Sequence, residues 1–150
     1  SECSGHQGIA GGQYLDLNFE HKKVSQKRII EMEIKKTGKL FSFCCMAPLI
    51  IKRRNVREIS KFANIGSEIG LLFQVADDLI DFQGSSLSAG KKTHKDEKKG
   101  KATLISLLGY KNTINYSEKL KNNILKKFKP YGDNSNKINK TIDFILNREK

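Results

Sequence analysis

Between Gly70 and Gly84 the apolar residues Leu72, Val75, Ala76, Leu79 and Ile80 recur every three or four positions, and neither Pro nor Gly interrupts residues 71 to 83. That spacing gathers them on one face and predicts a buried amphipathic helix over about 55 to 83. The same alternation predicts a glycine-rich helix or helix end near 4 to 16, and a helix from about 25 to 51 disturbed at Gly38 and Pro48. Shorter helices follow near 102 to 109, 112 to 128 and 134 to 148, with "KPYGDNS" breaking the last two apart. Residues 84 to 101, rich in Gly, Ser and Lys, read as an irregular polar loop. No strand pattern, repeat or domain linker intervenes. Residues 1–150 therefore read as part of one all-α domain, whose functional groups must project from helices or from that loop.

Charge narrows the class without deciding it. The 28 basic against 16 acidic residues, a net charge of +12, suit a phosphate-rich partner such as a nucleic acid, an anionic membrane or a small diphosphate. The excess is mostly Lys beside many Asn and Ile residues, a pattern that AT-rich codon usage also produces. Cys3, Cys44 and Cys45 match no disulfide framework or C-x-x-C metal pattern, and indicate a reducing, cytoplasmic setting. The longest apolar run, about Leu40 to Ile51, is too short to span a bilayer and contains Pro48. The opening "SECSGHQGIAGG" has no initiating Met and no signal peptide, and reads as the middle of a larger protein.

Against this basic background, Gln74, Asp77, Asp78 and Asp81 form a second stripe on the 55 to 83 helix. Asp77 and Asp81 stand one turn apart, a like-charge spacing that costs about 0.2–0.5 kcal/mol on an exposed helix and more where water is scarce. A hard divalent cation such as Mg²⁺ would offset the repulsion, since it takes carboxylates, waters and substrate phosphates as ligands. A solvated acidic stripe is the alternative. Lys36 and Thr37 in "EIKKTGKLFSF" can bring an ammonium and a hydroxyl near a buried helix face, although Lys35 and Lys39 also allow an ordinary solvated cluster. In "GKKTHKDEKKGKAT", Gly90-Lys91 and Gly100-Lys101 frame Asp96, and Thr103 begins the next helix. This is not a P-loop, because Lys95 stands where that motif needs Gly and no strand precedes it. Gly5, Gly8 and Gly11 or Gly12 share a helical face that permits close approach of another helix, with Gln13 and Asp16 following as polar residues to be buried or aimed at a cavity.

The ordered set G-x-x-G-x-x-G-G-Q-x-L-D-L (Gly5 to Leu17), K-T-G (Lys36 to Gly38), G-L-x-F-Q-x-x-D-D-x-x-D (Gly70 to Asp81), G-K-x(4)-D-x(3)-G-K-x-T (Gly90 to Thr103) and L-L-G (Leu107 to Gly109) resembles the C-terminal half of the trans-isoprenyl diphosphate synthases of the polyprenyl synthetase family. Those are the farnesyl and geranylgeranyl diphosphate synthases. The resemblance runs through the whole chain to the ending "FILNREK". It implies an all-α isoprenoid synthase bundle around a central cavity, usually in a homodimer. It also implies Mg²⁺-dependent condensation of an allylic diphosphate with isopentenyl diphosphate. By that resemblance Asp77 and Asp81 bind Mg²⁺ with Asp78 supporting them. Gln74 and Thr37 face the reacting allylic carbon, Lys36, Lys91 and Lys101 neutralise the diphosphate, and Gln13 with Asp16 form a supporting polar pair. Arg148 and Lys150 either reach the second substrate's diphosphate or belong to a frayed helix end.

The family's first aspartate-rich motif and its isopentenyl-diphosphate site belong to an N-terminal half that these residues do not contain, so the isolated chain is expected to be an inactive fragment. Two other readings stay open. A non-catalytic partner subunit of a heteromeric synthase would have little reason to keep Asp77, Asp78 and Asp81. A basic helical nucleic-acid binder would show a helix-turn-helix or an aromatic platform, and neither is present. Terpene cyclases share the fold, but their Asn/Ser/Glu motif is not what Asp77 to Asp81 spells.

Overall fold

The computed structural model describes residues 1–88 and 100–148, with side chains for all of these except 85–88. Among the described residues the regular structure is helical throughout. Helix α1 covers Ile9–Asn18, α2 covers Gln26–Glu33, and a π-helical segment at Ile34–Gly38 leads directly into α3, Lys39–Ile51. The long α4 spans Val56–Ser88. After the undescribed residues come α5, Leu104–Leu108, and α6, Tyr110–Phe128. A 3₁₀ segment at Lys129–Ser135 then joins α7, Asn136–Asn147.

Helix α4 is the spine because its sequence buries two faces at once. Ile65, Ile69, Leu72 and Ala76 pack against Ile124 and Phe128 of α6 and Ile142 and Ile145 of α7. Leu71 and Val75, on the adjoining face, pack against Phe19, Ile29, Met32, Ala102 and Leu104. Each Leu or Ile so buried contributes about 1.5–3 kcal/mol, which leaves the third face of α4 for Gln74, Asp77, Asp78 and Asp81. Asn55 starts the helix: its Oδ1 accepts the Glu58 amide at 2.9 Å, while its Nδ2 donates to Glu58 Oε2 at 3.1 Å. At α5, Thr103 and Ser106 make a reciprocal cap, with each backbone amide donating to the other's hydroxyl at 3.0 and 3.1 Å.

Several boundaries differ from the sequence expectation. The first helix starts at Ile9, since residues 1–8 form turns in which the Ile9 and Ala10 amides reach back to the Cys3 and Ser4 carbonyls. The disturbance expected at Gly38 is a π segment, whereas Pro48 sits exposed inside α3 and the helix runs on to Ile51. Proline gives up only the bond to the carbonyl four residues before it, and the turn after it stays intact, the Pro48 carbonyl accepting the Lys52 amide at 3.0 Å. Helix α4 continues to Ser88, into the segment expected to be loop from residue 84. Lys91 and the rest of 89–99, with Lys150, lie outside the described residues.

Candidate active site

Two close helix crossings assemble the polar residues. Gly12 of α1 lies against the backbone of Lys36, where a Cβ would stand 2.2 Å from the Lys36 nitrogen. One turn beyond Gly12, Asp16 accepts a hydrogen bond from the Lys36 ammonium at 2.5 Å. Gly70 of α4 touches Gly38 in the same way, and one turn beyond it Gln74 Oε1 accepts from the Thr37 hydroxyl at 3.0 Å. A glycine at each crossing thus brings the residue four positions later into contact with Lys36 or Thr37. The π segment carries both of those side chains, a setting in which such wide turns are often found. Of the expected glycine face, Gly12 makes the helix crossing, while Gly8 and Gly11 pack on the carbonyls of Cys3 and His6.

The chain of contacts continues along α4. Gln74 Nε2 donates to Asp78 Oδ1 at 3.2 Å. Burial pushes the Asp78 carboxyl up to about 6 and the neighbouring Asp77 charge adds to this, against the Gln74 hydrogen bond, Lys36 and Lys101. Asp77 is closer to solvent, with its side chain 45% exposed, and its Oδ1 accepts from the Arg148 guanidinium at 2.5 Å. Lys101 is exposed beyond Gly100, whose carbonyl accepts the His21 amide at 2.8 Å. Its charge acts on both Asp78 and Glu33. Asp81 occupies the next exposed turn of α4. Gln13, grouped with Asp16 as a supporting polar pair, is exposed on α1, whereas Asp16 is buried.

Two participants were not identified as such from sequence. Glu33 ends α2, only 3% exposed, with Oε2 buried and unpartnered. Burial first, then the charge of Asp78, raises its carboxyl to about 8, with Asp16 adding to the shift and Lys36 and Lys101 opposing it. Its spacing from Ile29 and Met32, both buried, is the signal that places it on the inner face. Arg148 is neither frayed nor turned away: it reaches back from the end of α7 to Asp77.

A divalent cation suits the α4 stripe in kind. Among the described residues no three His, Cys, Asp or Glu side chains converge to cage an ion by themselves. Mg²⁺ does not require a cage, because one or two carboxylates suffice when waters and phosphates complete its shell. Asp77 supplies the observation that tests the fit, since its carboxylate already holds a cationic group on one oxygen.

The same arrangement of helices recurs in solved isoprenoid synthases. An FPP/GFPP synthase from Zymomonas mobilis superposes with a TM-score of 0.79 at 31% identity, over 96% of this chain and 47% of that one. A geranyltransferase from Helicobacter pylori, complexed with magnesium and isoprenyl diphosphate, gives a TM-score of 0.76 at 28% identity over 98% of this chain and 48% of that one. Residues 4–142 match the family described as Polyprenyl synthetase. In sequence, the farnesyl diphosphate synthase of Micrococcus luteus is 33% identical over all of this chain and 52% of its own length. The chain belongs to the polyprenyl synthetase family, and it spans about half the length of the relatives it matches.

Proposed function

We propose that this chain supplies the leaving-group half of a trans-prenyl diphosphate synthase, which joins an allylic diphosphate to isopentenyl diphosphate head to tail. The reading rests on one observation: Lys36 bonds Asp16, Thr37 bonds Gln74 and Gln74 bonds Asp78, so α1, the π segment and α4 gather these polar side chains next to Asp77. Mg²⁺ bound through Asp77 and Asp81, with Asp78 in support, would neutralise charge on the departing diphosphate. Lys36, held in place by Asp16, adds a point charge for phosphate oxygens, and Lys101 adds a second, with Lys91 assigned to the same role by the family motif alone. Thr37 and Gln74 fix each other's side chains beside the allylic carbon, where ionisation of the C–O bond leaves a cation. That cation adds to the isopentenyl double bond, and a proton is then lost. Buried apolar faces of α2 and α4 exclude water from beneath this surface.

The residues form the C-terminal part of a single domain in this reading. Its working form is a cytoplasmic homodimer of chains that contain both halves. No described helix is long and apolar enough to cross a membrane.

Calorimetric titration of inorganic diphosphate into the 150-residue chain tests the proposal. Binding is expected to require Mg²⁺, to be lost in Asp77→Asn, and to weaken by about tenfold or more in Lys36→Met. Diphosphate binding indifferent to both Mg²⁺ and Asp77 would reduce the stripe to a solvated surface. The isolated chain is expected to give no prenyl product, and turnover by it alone would overturn the need for a second half.

A further inference from the structure

Arg148 follows the last residue of α7, with an extended backbone (φ −69°, ψ 133°) that takes it out of the helix. Its side chain turns back 71 residues in sequence to α4, and there it makes three contacts. The guanidinium donates to Asp77 Oδ1 at 2.5 Å and to the Phe73 carbonyl at 3.3 Å, and its Cζ lies 4.0 Å over the Phe73 ring. The arginine is only 17% exposed, whereas the aspartate it meets is 45% exposed. Arg148 Nε is buried without a partner, so the arginine is held in a less than complete set of hydrogen bonds. This is a poor design for a purely stabilising surface pair, which would leave the long side chain in water. It is a suitable one for a cation stored beside a carboxylate.

We propose that Arg148 is a built-in counter-cation for Asp77, a positioning residue that holds this carboxylate and yields it to a divalent cation. The inference rests on the reading of Asp77 as a cation ligand. Asp77 and Asp81 carry two negative charges, which one dication already balances. Bringing a dication to Asp77 while the guanidinium remains on Oδ1 sets like charges a few ångströms apart, and this repulsion exceeds the benefit of a pre-set rotamer. The two cations therefore compete, and filling the stripe loosens Arg148 from α4. The end of α7 becomes sensitive to occupancy of the site, without Arg148 touching substrate.

Mg²⁺ alone is the probe, titrated calorimetrically into the 150-residue chain, its Arg148→Met variant and its Arg148→Lys variant. Methionine keeps an apolar stem over Phe73 and removes the charge, while lysine keeps the charge. Arg148→Met is expected to bind Mg²⁺ about fivefold or more tightly than the parent, and Arg148→Lys to stay near the parent. In the parent, the Arg148 Nε–H resonance is expected to shift or exchange faster as Mg²⁺ is added. Equal or weaker binding in a folded Arg148→Met chain, or an Nε–H signal unmoved by saturating Mg²⁺, would overturn competition while leaving Asp77 a ligand. Binding by all three chains that persists when Asp77→Asn is added, or by none of them, would overturn both the inference and the reading beneath it.

Discussion

Gly70 of α4 approaches Gly38 so closely that a Cβ on Gly70 would lie 2.6 Å from the Gly38 Cα. Intrinsic helix propensity alone makes Ala better than Gly by about 1 kcal/mol in a helix interior. Overpacking at this crossing opposes that gain and costs about 1–3 kcal/mol or more, because backbone, not a flexible side-chain end, must move. Gly70→Ala is therefore expected to lower stability in urea unfolding, and to lower Mg²⁺-dependent diphosphate binding by parting Thr37 from Gln74. Ser60→Ala, at an exposed position of the same helix, serves as control. A Gly70→Ala chain more stable than the parent would show that the helices do not need this contact.

The Asp16–Lys36 pair joins side chains that are 11% and 27% exposed. Removing the ammonium leaves a carboxylate with little water, at an expected cost of about 1–3 kcal/mol in Lys36→Met. The double variant with Asp16→Asn is expected to recover part of this loss, giving a coupling energy of about 1–3 kcal/mol in a double-mutant cycle. Additive effects within about 0.5 kcal/mol would make the pair no more than a surface contact.

How much of this was legible in sequence follows from which interactions are periodic. Leu72, Val75 and Ala76 repeat at helical spacing, so α4 and its acidic stripe could be read directly. The all-α class was equally readable, because no segment alternates with a period of two. Lys36 and Thr37 were visible as residues near a buried face, but the π segment that presents them was not, since a wide turn has no composition of its own. The pairing of Asp16 with Lys36 depends on the angle at which Gly12 lets two helices cross, which spacing does not encode. Arg148 reaches Asp77 through tertiary packing of α7 on α4, so its basic character alone pointed equally to substrate or solvent. Gln13 shows the converse: three residues from Asp16, it faces outward all the same.

Asp77 separates function from folding. Its side chain is 45% exposed and Asp77→Asn keeps an amide oxygen for Arg148, but losing the charge beside a guanidinium only 17% exposed is expected to cost about 1–2 kcal/mol of stability. In a synthase containing both halves, turnover is expected to fall by about two orders of magnitude or more, the scale of losing a group that stabilises leaving-group charge. Parallel measurement of steady-state turnover and urea unfolding distinguishes the cases. Comparable losses in both would make the stripe structural.

Glu33 makes a pH prediction with a definite sign. Its carboxyl rises from 4.5 to about 8 through burial and the Asp78 charge, so the folded chain keeps a proton that the unfolded chain releases above about 4.5. The native state binds more protons in this window, and stability must fall as pH rises. The contribution is fully present below the unfolded value and is lost as pH climbs through about 8. Asp78, raised from 3.8 to about 6, acts in the same direction over a lower range. Glu33→Gln isolates the first effect: the amide has the shape of the neutral acid and does not titrate, while Asp78 is common to both proteins. The variant's stability advantage in urea unfolding is expected to be small at pH 5, to grow to on the order of a few kcal/mol by pH 8, and to level off above it. A difference independent of pH from 5 to 9 would mean that Glu33 titrates in the fold as it does in the unfolded chain.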